Sequence, residues 1–205
     1  MPAVLPETGD QLAMIEVLRS CGWTGSARIS TSSGGVQIEV HGDPLSAFLL
    51  ARGPLQYEEA VDLLHCIAPQ LERLRVRGRG MPSIELEDIL VLGEGWYLLT
   101  GLHRSWEIEG GDKREFVMAS KAPPISRTRA DPGTLGGDHL APELRGRLSL
   151  PMECTSAATV YNLGSLIRAS LGLEHNLAPL AGSKLYHCIR RCLVEDPNKR
   201  HLIFI

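Results

Sequence analysis

The densest chemistry in this chain lies in the stretch MPSIELEDIL, residues 81–90. Ser83, Glu85, Glu87 and Asp88 place one hydroxyl and three carboxylates within six residues. Such a group suits general acid–base work or the holding of a hard cation. A Gly-Arg-Gly turn precedes the stretch and DILVLGEGWYLLTGL follows it, so it reads as a loop entering a hairpin. The loop is a catalytic one, the remnant of one, or the start of a helix.

Other reactive side chains are scattered. His103 and His139 flank a long aperiodic segment, and with Asp138 they suggest a metal or a general base, although nothing in the spacing arranges them. His65 falls near the buried side of a helix and reads as a core or boundary residue. Cys188 and Cys192 lie at i,i+4 spacing, which suits two small apolar residues on one helix or half a metal site; no His/Cys pair nearby completes the site. Five dispersed cysteines suit free thiols in a reducing compartment, so a cytoplasmic location is expected. Arg73, Arg75, Arg77 and Arg79 form a basic patch, either a solvated helix end or a contact for an acidic partner. Trp106 and Trp96 read as core residues or as partner anchors. The run STSSGG is a turn, since no lysine and no helix start follow it.

The elements that must position these residues follow from periodicity. Leu12, Ile15 and Leu18 share one face of a short helix. ARISTSSGGVQIEV reads as two strands, the second alternating Val36, Ile38 and Val40 with polar residues. Asp43 with Pro44 opens a short helix that Gly53 ends. Val61, Leu64, Ile67, Ala68, Leu71 and Leu74 mark a long buried helix, which Pro69 should kink or interrupt. DILVLGEGWYLLTGL forms a hairpin around Gly-Glu-Gly. Residues 108–139 lack periodicity and are expected to be a long, mobile loop. SAATVYNLGSLIRASLGL and SKLYHCIRRCLVEDP are helices, the second stopped at Asp196-Pro197.

Composition bounds the function. The 205 residues suit one domain of ordinary size, and 43% hydrophobic with 22% charged residues is a globular balance. A net charge of -3 and only 5% aromatic residues argue against a nucleic-acid-binding face. No run approaches the roughly 18 apolar residues of a membrane span.

The order strand–strand–helix–long helix–hairpin–long loop–APEL–helix–CLVEDPNKR resembles a protein kinase from late in the small lobe to late in the large lobe. Ala141-Pro142-Glu143 matches the motif that closes the activation segment, VYNLGSLI resembles the start of the next helix, and CLVEDPNKR resembles the segment carrying a structural Arg. PLSAFLLARGPLQYEEAV is similar to the opening of the KIND domain, a non-catalytic kinase-like module of scaffold proteins that binds other proteins. The chain departs from it in carrying small-lobe-like strands before Pro44 and a well-preserved Ala-Pro-Glu motif.

The resemblance implies an α+β, mainly α-helical fold: a kinase-like large lobe with a truncated small lobe. It implies an N-terminal segment over 1–26, remnant small-lobe strands and hinge over 27–43, and a large lobe over 44–205. Anchored on Asp88-Ile89-Leu90, Ser83 falls where a kinase has its catalytic Asp, Glu85 where it has a Lys, Asp88 at a metal-binding Asn and Gly101 at the main Mg²⁺ ligand. No Gly-rich loop and no phosphate-gripping lysine precede Ala27. Thr159 replaces an Asp that supports the catalytic loop in active kinases, which suits a loop that no longer has to be held in catalytic geometry. Glu143 and Arg200 match a structural ion pair. The expectation is therefore a non-enzymatic interaction module with no cofactor, no metal and a protein partner. The alternatives are an unconventional nucleotide-dependent transferase using Asp88, and a truncated isoform, the latter motivated by the HLIFI end.

Overall fold

The computed structural model describes residues 2–6, 9–32, 35–102, 105–107, 115–118, 139–145, 152–173 and 176–202. The first sheet is built from β1 (Pro2–Pro6), β2 (Ala27–Ser32) and β3 (Gly35–His41), in the order β1-β3-β2 and antiparallel throughout. The β2–β3 pair is the one expected from alternation. Strand β1 is additional: its two prolines weaken a strand signal, yet they are tolerated at the sheet edge it occupies.

Helix α1 (Gly9–Ser20) buries Ala13, Met14, Ile15 and Leu18. These side chains belong to the same apolar core as the long helix described next, and Trp23 joins them. Residues of the expected N-terminal segment 1–26, from Ala13 to Trp23, thus share the core of the rest of the chain. Strand β4 (Asp43–Pro44) leads into α2 (Leu45–Arg52); Pro44 takes the cap position expected for Asp43, and the Gly53 N–H donates to Leu49 O at 2.8 Å.

Helix α3 (Tyr57–Val76) runs through Pro69 without ending. Its first turn is held by a capping box: Gln56 N–H donates to Glu59 Oε2 at 2.8 Å. That bond, and the Arg52 guanidinium on the same carboxylate, hold Glu59 below its ordinary pKa. Ala60, Leu63, Leu64, Ile67, Ala68 and Leu74 face the core. Strand β5 (Arg79–Gly80) follows, then the hairpin β6 (Ile89–Gly93) and β7 (Trp96–Leu99), with β4 on the far side of β6.

Strand β8 (Trp106–Glu107) pairs with β5, and β9 (Glu115–Met118) pairs with β10 (Met152–Thr155). A strand at 115–118 corrects the reading of 108–139 as one unbroken loop. The remainder of that loop, apart from His139, lies outside the described residues. Helices α4 (Ser156–Ser170) and α5 (Lys184–Cys192) cross closely at Gly164, where a Cβ would run into that of Cys192. Cys188 and Cys192 are both buried at this crossing, where Cys188 and burial keep the Cys192 thiol protonated. Among the described residues the fold is α+β, with five α-helices and four small antiparallel sheets.

Candidate functional site

The loop 81–88 runs from β5 to β6, tied to α4 at Met81 and Pro82 and to the end of β7 at Asp88. Its residues from Met81 to Glu85 are buried, and a short 3-10 turn at Leu86–Asp88 ends it. The Ser83 hydroxyl donates to Glu85 Oε1 at 3.2 Å. Asp88 turns back over its own turn: Glu85 N–H donates to Asp88 Oδ2 at 2.8 Å. The Asp88 carbonyl accepts from Thr100 N at 2.7 Å and Thr100 Oγ1 at 3.1 Å, joining the loop to the end of β7. Asp88 is 3% exposed. A Cβ at Gly101 would collide with the Asp88 carboxylate, so that carboxylate fills the space beside Gly101.

The loop is supported from below by α4. Thr159 Oγ1 donates to Met81 O at 2.8 Å, and Asn162 Nδ2 donates to Pro82 O. The loop is held by donors reaching backbone carbonyls, one of them Thr159, at the position the resemblance assigns to the loop-supporting Asp. Asn162 is fully buried, and its Oδ1 has no hydrogen-bond partner among the described residues.

Glu143 and Arg200 meet across 57 residues of chain. Arg200 Nη1 reaches Glu143 Oε1 at 2.5 Å and Nη2 reaches Oε2 at 2.8 Å. Arg200 also donates to the carbonyls of Val194, Glu195 and Ala157, and its guanidinium lies 4.9 Å from the centre of the Tyr161 ring. Its side chain is wholly buried.

The arginine patch is divided among intramolecular partners. Arg75 binds Glu72 in a two-point contact at 2.6 and 2.7 Å, which lowers the Glu72 pKa. Arg77 and Arg79 share Asp10 of α1, at 2.8 and 3.2 Å, and Arg79 also reaches the Ser105 hydroxyl at 2.8 Å. Arg73 is exposed. Trp106 lies in β8 opposite Gly80. The tie from Arg77 and Arg79 back to α1 could not be read from spacing, because its partner lies 67 residues upstream of Arg77.

His139 Nδ1 lies 3.2 Å from Ser165 Oγ; His103 and Asp138 are outside the described residues. A second recess, about 260 Å³, gathers Cys21, Asp62, His65, Cys66 and Trp96. Burial pushes the Cys66 thiol up to about 11, which leaves it unreactive near neutrality, and burial also raises Asp62. Among the described residues no group of three or more His, Cys, Asp or Glu could hold a metal ion, and no helix is long and apolar enough to cross a membrane.

Chemically, the loop gathers the Ser83 hydroxyl and the Glu85 and Asp88 carboxylates in one buried stretch. The chain's first lysine is Lys113, so none precedes the hairpin. Compared with known proteins, the chain matches no family model and no curated protein.

Proposed function

We propose that this chain is a non-catalytic interaction module of protein-kinase-like fold, close in kind to the KIND domain. The order of elements supports this reading, as does the Glu143–Arg200 pair at the two family positions. In kinases a strand carrying the phosphate-binding Lys and a helix carrying its Glu partner come ahead of the hinge. Here β1 and α1 stand in that order, and β1 contains no lysine.

The observation that carries the reading is Asp88. Its carboxylate accepts from Glu85 N–H and fills the space beside Gly101, where a kinase places its main Mg²⁺ ligand. Phosphoryl transfer rests on positioning and charge stabilisation, and both are lost with that ligand, the base and the lysine.

Thermal unfolding with ATP, with and without Mg²⁺, tests this. A nucleotide at a hundred times its Kd adds about 2.7 kcal/mol. For a domain of this size that raises Tm by about 5–10 °C. We expect no Mg²⁺-dependent rise, and none on Gly101→Asp, which only adds a clash. A rise of that size in the native chain would overturn the reading.

A further inference from the structure

A groove of about 310 Å³ runs between the end of α3 and the start of α4. Leu71, Leu74, Met81, Val160 and Leu163 form its walls, and Arg75 and Arg79 stand on its lining. We propose that this groove docks an acidic, amphipathic segment of a partner protein, with an apolar side chain in the groove and carboxylates on the arginine rim. The proposal rests on the interaction-module reading and names the chemistry of the partner.

Size and lining argue for a side chain as occupant. The volume lies at the lower end of the range for small-molecule sites, and the walls are mainly apolar. That suits one or two anchoring residues of Leu or Phe type. The charge of the partner follows from the rim. Among the described residues Arg75 is held by Glu72, and the two side chains are 34% and 54% exposed. An exposed pair of this kind contributes at most about 1 kcal/mol, so an incoming carboxylate displaces Glu72 at little cost. Among the described side chains, Arg77 and Arg79 share the one carboxylate of Asp10. A basic segment would meet repulsion at this rim, and a purely apolar one would leave the guanidiniums unused.

Peptide display selection on the intact chain tests the proposal. The selected peptides are expected to carry Leu or Phe anchors flanked by Asp and Glu. Their binding, read by fluorescence anisotropy, should weaken with salt. It should weaken about tenfold with Arg75→Glu and disappear with Val160→Lys, a half-buried position on the groove wall. Arg75→Glu breaks only an exposed pair, so its effect stands even if Val160→Lys perturbs folding, which circular dichroism would report.

Selection of basic peptides, selection of none, or equal binding by both variants would overturn the proposal. So would a concentration-dependent dimer that Val160→Lys abolishes, which would make a second copy the occupant. The same holds if binding appears only after removal of residues 203–205, which would make the chain's own segment the occupant. None of these results moves the nucleotide measurement, so the groove and the module reading fail independently.

Discussion

Arg200 uses all five of its donors. They meet Glu143 Oε1 and Oε2 and the carbonyls of Val194, Glu195 and Ala157, while the Tyr161 ring covers one face. A planar fork satisfies five acceptors at once; an ammonium has three donors and no such geometry. The guanidinium is buried and Glu143 remains 22% exposed, so the two partners are not equivalent. Truncating Glu143 leaves a buried charge behind, whereas truncating Arg200 leaves carbonyls and a carboxylate that water can reach in part. We expect Arg200→Ala and Glu143→Ala each to lower stability by about 3–5 kcal/mol, and Arg200→Lys to recover less than half of that. Urea unfolding measures it. A loss below about 1 kcal/mol for both truncations would mean that this corner is solvated and does not fasten the late segment to the Ala141-Pro142-Glu143 turn.

At the scale of elements, β7 shows how two helices close one sheet edge. One side of β7 pairs with β6. On the other, the buried Gln70 of α3 accepts from Leu99 N at 2.9 Å and donates to Tyr97 O at 2.9 Å, and Gln11 of α1 donates to Leu99 O at 3.2 Å. Side-chain amides thus stand in for a missing strand, satisfying backbone groups that burial would otherwise orphan. Gln70→Leu keeps the volume but strands the Leu99 N–H and the Tyr97 C=O. The expected loss is about 2–5 kcal/mol. The Leu99 amide should also lose hydrogen-exchange protection. Unchanged protection at Leu99 would show that the edge is held by something other than Gln70. A polar residue in the apolar stripe of α3 carries no such message in the sequence. What was legible there was the stripe itself, along with α4, α5, the 89–99 hairpin and the β2–β3 pair, all from local period. Strand β1 was hidden by its prolines, and β9 by a Gly- and Pro-rich surround. Thr159 was placed at the loop-supporting position by the resemblance, but the part of Asn162 was hidden because it spans 80 residues of chain. The loop's own residues were legible by type, but the fold of Asp88 back onto Glu85 was not.

For the molecule as a whole, α1 decides whether the domain can be cut at residue 26. Met14 and Leu18 are fully buried, Ala13 and Ile15 nearly so, and Trp23 follows them into the core. Gln11 closes the β7 edge, and Asp10 holds the two arginines that follow α3. One helix therefore contributes apolar burial, an edge cap and an ion-pair anchor at three separate places. Burying each large aliphatic side chain is worth about 1.5–3 kcal/mol. A domain holds about 5–15 kcal/mol in total, so removal of α1 takes most of that margin. A fragment beginning at Ala27 should keep helical far-ultraviolet signal but lose its cooperative thermal transition and its near-ultraviolet signal. Leu18→Ala in the full chain should cost about 2–5 kcal/mol and remain cooperative. If the fragment instead melts cooperatively within a few degrees of the full chain, α1 is an appendage, and Arg77 and Arg79 would then lack their Asp10 partner in the fragment. Selected acidic peptides should bind that fragment more tightly than the full chain, which separates a detachable helix from one the core requires.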